Sequence, residues 1–244
     1  MLKKKVLLVY LGFFALLLTG FYLLLPKGML TKSSLPILNP NVPAFSFIDQ
    51  NGDTLTDRNT EGKVYVTEYF FTTCKGICPR MNANMRRVYN EFKSEPDFMI
   101  LSHTCMPETD SVPLLKAYEA KMLNGKLKQN TDASYKIEND SSSLLQPVKT
   151  GNWFFLTGDK TALYKMARQG YLIDNNKPDS FQNIKDQFIH TQFFALVDKN
   201  RRVRAIYDGL REVELQKLFT DTKELLKEKI DHPRFMNGFS NSPN

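Results

Sequence analysis

Two cysteines four residues apart, Cys74 and Cys78, have the clearest capacity for chemistry in this sequence. They sit in Phe70-Phe71-Thr72-Thr73-Cys74-Lys75-Gly76-Ile77-Cys78-Pro79, at the end of a β-branched and aromatic run, residues 63–71. That run reads as a buried central strand. The segment after it reads as a helix with Met85, Val88, Tyr89 and Phe92 on one apolar face. The thiols therefore fall on a strand-to-helix turn, the edge at which open α/β sheets hold ligands. At helical spacing, residues i and i+4 share a face with Cα atoms roughly 6 Å apart. That separation suits a disulfide, which needs about 4.4–6.8 Å, and equally two thiolates on one metal. The positive end of the helix favours a thiolate at Cys74. An inert buried pair is the competing reading, and the accessible turn argues against it.

His190 stands just before a further apolar strand, residues 192–197. Alone, a histidine there is an ordinary hydrogen-bonded residue. It reaches the cysteines only if its strand runs antiparallel to theirs, or if the loop before it crosses over. Two thiolates and one imidazole form a soft set that selects Cu(I) or Zn. Its open fourth position argues against a closed structural zinc site. His103 and Cys105, at the end of a second strand, are weaker candidates. Cys105 reads as an extra ligand, a resolving thiol or a plain buried thiol.

The elements that must position these groups form one α/β series. Residues 45–48 and 53–56 flank the turn Asp49-Gln50-Asn51-Gly52 and read as a hairpin. Strands follow at 63–71, 97–102 and 152–157. Asp110 is expected to cap a helix bearing Leu114, Leu115, Tyr118 and Met122, with Pro113 in its first turn. Asp159 caps another bearing Leu163, Met166 and Ala167. Strands at 192–197 and 203–207 pair across Asp198-Lys199-Asn200, and Leu215, Leu218, Phe219, Leu225 and Leu226 line a last helix. Strands alternating with helices imply a mostly parallel sheet. The expected class is α/β, a mixed sheet flanked by helices with an N-terminal β-hairpin. Residues 124–150 are polar and aperiodic and read as a mobile insertion.

The chain has 244 residues and a net charge of +7, of which the first 32 carry +5. The remainder is nearly neutral, without a basic stripe, so nucleic acid is not an expected partner. Three cysteines exclude a disulfide-built scaffold. Residues 6–25 carry no charge, and twenty residues span about 30 Å as a helix, the thickness of a bilayer core. The run is longer than a signal peptide's, and no small-residue cleavage site follows. It is expected to be an uncleaved transmembrane signal anchor through the lipid bilayer. Lys3, Lys4 and Lys5 place residues 1–5 in the cytoplasm. Residues 26–43 then read as a linker, 44–230 as the domain and 231–244 as a loose tail.

The CxxxCP loop after a hydrophobic strand, Thr157-Gly158 after Trp153-Phe154-Phe155-Leu156, and a single His before a strand ending in Asp198 resemble the Sco/SenC family. The likeness runs from about Pro43 to Leu226. Residues 102–118 are similar to the family's Ser-x-Asp-Pro-x-x-Asp block. The resemblance implies a membrane-anchored, thioredoxin-like copper chaperone of cytochrome c oxidase assembly. It implies Cys74, Cys78 and His190 as copper ligands. Copper, as Cu(I) or Cu(II), would pass to the binuclear site of oxidase subunit II or to another cuproprotein. Some members instead reduce that site's cysteines, which would make Cys74 and Cys78 the redox pair of a thiol-disulfide oxidoreductase. Ile189 replaces an Asp common in the family and weakens the case for Cu(II). His103 and Cys105 stand where the family usually has neither residue. The three-residue spacer, and the absence of a proline before the later strand, argue against a plain thioredoxin-type reductase. A peroxide-reducing module using Cys105 as resolving thiol is the weakest reading, since no Arg or Thr/Pro constellation precedes Cys74. The Lys-rich start favours a bacterial inner membrane, with the domain on its periplasmic side.

Overall fold

The computed structural model describes residues 2–24, 35–144, 146–148, 151–174 and 191–230. It divides into two units, Met1–Ser33 and Ser34–Asn244. The first unit holds α1, Leu2–Leu24, whose 23 residues extend about 35 Å at the helical rise. Its apolar side chains, among them Val9, Leu16, Leu18 and Phe21, are exposed. The bilayer crossing expected there is not shown: among the described residues, no helix is long and apolar enough to cross a membrane. The side chains described on α1 are those of Val6, Leu7 and residues 9–21, a shorter run than the uncharged sequence segment.

Among the described residues, the second unit has nine strands and five further α-helices. These are β1 (Ser46–Ile48), β2 (Thr54–Thr56), β3 (Val64–Phe70), α2 (Cys78–Phe92), β4 (Phe98–Thr104), α3 (Val112–Asn124), β5 (Lys126–Gln129), β6 (Tyr135–Glu138), α4 (Ser141–Leu144), β7 (Trp153–Leu156), α5 (Lys160–Lys165), β8 (Phe193–Val197), β9 (Val203–Asp208) and α6 (Glu212–Lys227). Five strands form one sheet in the order β7-β4-β3-β8-β9. β3, β4 and β7 run parallel, while β8 and β9 are antiparallel to their neighbours. This is the mixed α/β sheet expected from the sequence.

β3 lies at the centre because every one of its side chains can be buried, and all seven are. Strand alternation sends Val64, Val66 and Phe70 to one face, where Met81, Met85, Val88 and Phe92 of α2, Leu115 and Tyr118 of α3, and Leu218 and Leu225 of α6 cover them. Tyr65 and Tyr69 point to the other face, covered by Phe47, Leu55, Leu163, Tyr164 and Tyr171. The β1–β2 hairpin thus serves as a lid on this second face. It is joined to the sheet at Ile48, which exchanges backbone hydrogen bonds with Thr157 at 2.9 and 2.8 Å.

Two segments differ from expectation. Residues 124–150 are not aperiodic: β5 and β6 pair antiparallel, Lys126 opposite Glu138 and Gln129 opposite Tyr135. The hairpin is hard to see in sequence because only Leu127 and Ile137 mark its inner face. It gains its hold from α2, where the Arg87 guanidinium lies 4.2 Å from the centre of the Tyr135 ring. The described part of the 26–43 linker is also not a free spacer. Leu38 and Val42 donate backbone hydrogen bonds to Val203 and Arg201 at 2.8 and 2.9 Å, and Val42 is fully buried. Residues 26–34 and the 231–244 tail lie outside the described residues.

Arg204 fastens this entry segment. Its guanidinium donates to the Leu35 and Pro36 carbonyls at 2.7 and 3.2 Å, to Asp198 at 2.9 Å and to Glu228 at 2.9 Å. Arg204 and Asp198 are both buried, so removing the cation breaks a buried ion pair and takes the donor from the entry segment's carbonyls, while Asp198 keeps Arg202 at 2.7 Å. Arg204→Met is expected to lower the free energy of urea unfolding by about 3 kcal/mol.

Candidate metal centre

β3 delivers the chain to its carboxyl edge at Phe70, and residues 71–77 turn before α2 begins at Cys78. Cys74 is therefore on the turn, not on the helix. The helix cannot start earlier because Pro79 supplies no backbone N–H and fits only a first turn. Cys74 N–H donates to the Phe71 carbonyl at 3.2 Å, which folds the loop back on the strand end. This sets Cys74 beside Cys78, near enough for its thiol to act on the proton affinity of the other. Both are free cysteines, Cys74 partly exposed and Cys78 buried. The two lie on either side of a folded loop and not at helical spacing, since only Cys78 is on the helix.

The electrostatics of Cys78 run against the simple helix-end argument. Burial, then the hydrogen bond with Cys74, pushes its thiol well above the ordinary cysteine range. A backbone hydrogen bond at Phe71 lowers it, and nearby Glu68 raises it further. Desolvation outweighs the dipole because the sulfur lies within the helix-side core, beneath α2.

Glu68 was not singled out from sequence, although a carboxylate inside an otherwise apolar strand is a readable anomaly. It is fully buried, and only Oε1 has a partner, the Ser102 hydroxyl at 2.7 Å. Ser102 Oγ in turn accepts from Trp153 Nε1 at 2.9 Å. Burial pushes the Glu68 carboxyl up to about 8.

His103 and Cys105 do not join the pair. Both point to the opposite face of the sheet from Cys78. The His103 ring stacks on Tyr69 at 5.1 Å and meets Phe47 and Tyr171 at 5.3 and 5.5 Å. Burial lowers it to about 3, and neither ring nitrogen has a partner, so it is a neutral packing residue. Cys105 donates from Sγ to the Phe70 carbonyl at 3.2 Å, and burial pushes its thiol up to about 12. His190 and Ile189 lie outside the described residues. The strand that follows them does meet the antiparallel condition. Tyr65 pairs with Val197 and Thr67 with Ala195, so β8 begins at the edge where the Cys74 loop leaves β3. Among the described residues, no three His, Cys, Asp or Glu side chains gather as a metal site.

A mixed sheet of thioredoxin-like build, with two free thiols where its central strand turns into a helix, defines the class. The SCO1/SenC family profile matches residues 38–134. The chain is 27% identical over 188 residues to the SCO1 protein homolog of Bacillus subtilis strain 168, covering 76% of this chain and 83% of that one. The solved structure of BsSco, described as a member of the Sco family of cytochrome c oxidase assembly proteins with a disulfide switch, is also similar. It has a TM-score of 0.59 and 26% identity, covering 81% of this chain and all of that one. Copper-bound ScoI of Bradyrhizobium japonicum shares the fold, with a TM-score of 0.51 at 19% identity over 76% of this chain and 99% of that one. These likenesses agree with the Sco/SenC resemblance read from the sequence.

Two buried groups give stability a two-sided pH dependence. Glu68 keeps its proton up to about 8 when folded, against 4.5 otherwise. Its contribution is full at low pH and is lost as pH rises through 8. His103, lowered from 6.5 to about 3, acts oppositely: stability is full above 6.5 and falls as the pH drops. Glu68→Gln is expected to flatten the alkaline limb and leave the acid limb intact, measured as urea unfolding free energy from pH 4 to 9.

Proposed function

We propose that this protein is a membrane-anchored copper chaperone of the Sco type, with copper as its cargo. Cys74 and Cys78 are two soft sulfur donors on an accessible turn, a set suited to Cu(I). The observation that carries the reading is the two free thiols side by side at the carboxyl edge of the sheet, within the stretch that the SCO1/SenC profile matches. His190 would be the third ligand. The support is the start of β8 at that same edge, together with what the resemblance implies. The cargo would go to the binuclear copper site of cytochrome c oxidase subunit II. The uncharged segment 6–25, helical as α1 over most of its length with exposed apolar side chains, supports an anchor in the bacterial inner membrane. Lys3, Lys4 and Lys5 support a periplasmic domain.

A second reading is thiol-disulfide exchange by the same pair. It is favoured by the nearness of the two free thiols and by the disulfide switch described for BsSco, which is similar to this chain. The sulfurs serve both reactions, so copper affinity separates them.

The test is an anaerobic Cu(I) titration of the full chain in detergent against a competing chelator. One equivalent is expected to bind tightly. Cys74→Ala and Cys78→Ala should abolish binding, and His190→Ala should weaken it at least about tenfold. Cys105→Ala should bind like wild type. Absence of tight copper would turn the assignment to the reductase.

A further inference from the structure

The turn that carries Cys74 is tied to its neighbour by one carboxylate. Asp110 is buried in the connection between β4 and α3, and it does not cap α3 as its sequence position suggests; the N-cap is Ser111. Its carboxylate faces the cysteine loop. Thr72 Oγ1 donates to Asp110 Oδ1 at 2.6 Å, and Thr72 N–H donates to Oδ2 at 3.2 Å. Thr104 Oγ1 donates to Oδ2 at 2.5 Å and accepts from Met106 N–H at 2.9 Å. Asp110 is itself held in place by donating its backbone N–H to the Met106 carbonyl at 2.9 Å. One side chain thus joins two loops that leave adjacent parallel strands, and it grips the cysteine loop two residues before Cys74.

Hydrogen bonds to an ionised acceptor are the strong ones, and a buried acceptor cannot exchange them freely for water. The rest of the loop is held by the Cys74–Phe71 backbone bond and by partial packing of Phe71, Cys74 and Ile77 on the core. Residues 71–77 form no regular element, and Gly76 has no side chain to pack. Where the loop is anchored decides how often Cys74 meets Cys78. That encounter frequency is an effective concentration, and it sets how readily the pair closes on itself or on one cation.

We propose that Asp110 is the positioning residue of the Cys74–Cys78 pair, holding Thr72 so that the thiols stay within reach of each other. This inference rests on the reading of Cys74 and Cys78 as the working pair. Asp110 touches neither thiol as a reactant; it acts through the loop.

The test is the equilibrium of the oxidised full chain with dithiothreitol, in detergent at fixed pH, read by thiol alkylation and mass. One protein S–S bond breaks and one forms in the dithiothreitol ring. Two electrons and two protons pass to Cys74 and Cys78. Asp110→Ala is expected to shift this equilibrium about tenfold toward the dithiol, the size of one charge-assisted hydrogen bond. Asp110→Asn keeps an acceptor for Thr72 and should restore most of the wild-type value. Thr72→Val should shift it in the same direction, and by less. Combining Thr72→Val with Asp110→Ala should add little beyond Asp110→Ala alone.

Folded Asp110→Ala with a wild-type equilibrium overturns the proposal, and so do fully additive effects of the two changes. If Asp110→Ala does not fold, Thr72→Val decides, and a wild-type equilibrium there overturns the proposal. A wild-type chain that forms no Cys74–Cys78 disulfide overturns the reading of the pair and this inference with it.

Discussion

The seven-residue parallel register of β3 on β4 fixes the geometry on which the site depends. It pairs Val64 with Phe98 at one end and Phe70 with Thr104 at the other, so both strands finish level. Two loops must then leave side by side, the cysteine loop from β3 and the Asp110 loop from β4. The Cys105 N–H closes the seam by donating to the Phe70 carbonyl at 2.9 Å. β8 completes the arrangement from the other side: because it is antiparallel to β3, it starts at the edge where β3 ends. Three connections meet at one edge, which a sheet with β8 parallel to β3 would not allow.

The same pleat decides which candidate residues share a chemistry. Successive side chains on β4 alternate faces, so Ser102 joins Glu68 and Trp153 beneath α2 while His103 is sent among Phe47, Tyr69 and Tyr171. These two buried polar groups are treated differently. Glu68 receives one hydrogen bond and tends to stay protonated, whereas His103 receives none and stays neutral. In each case, desolvation selects the uncharged form. Arg204 shows the alternative solution, in which a buried charge is kept because Asp198, Glu228 and two carbonyls surround it.

Legibility in the sequence followed how local the cause was. The central strand, the two-thiol turn and the closing β8–β9 pair were readable because β-branched runs, spacing and turn residues are local signals. The β5–β6 hairpin was not, since its strands are held by Arg87 of α2, distant in sequence, and carry few apolar residues. Asp110 looked like a helix cap because its position before Pro113 satisfies that rule. Its real partners, Thr72 and Thr104, are brought to it by strand register alone. Glu68 was readable as a carboxylate in a buried strand, but its surroundings, Ser102 and Trp153, come from two other strands and were not. Packing of residues 35–43 on β9 likewise depends on Arg204, far along the chain.

A buried thiol held protonated is quiet until something removes its proton. Cys78 is in that state by burial, while its neighbour Cys74 is partly exposed. Soft-metal binding and disulfide formation both require the proton to leave, so both start from the same resting dithiol. A site of this kind gains selectivity from geometry more than from thiol acidity. Cys105 is also a thiol near the loop, yet it faces the other side of the sheet and donates to the Phe70 carbonyl. What separates Cys74 and Cys78 from Cys105 is therefore the pleat of β4 and the path of one turn. Both are consequences of how β3 and β4 end together.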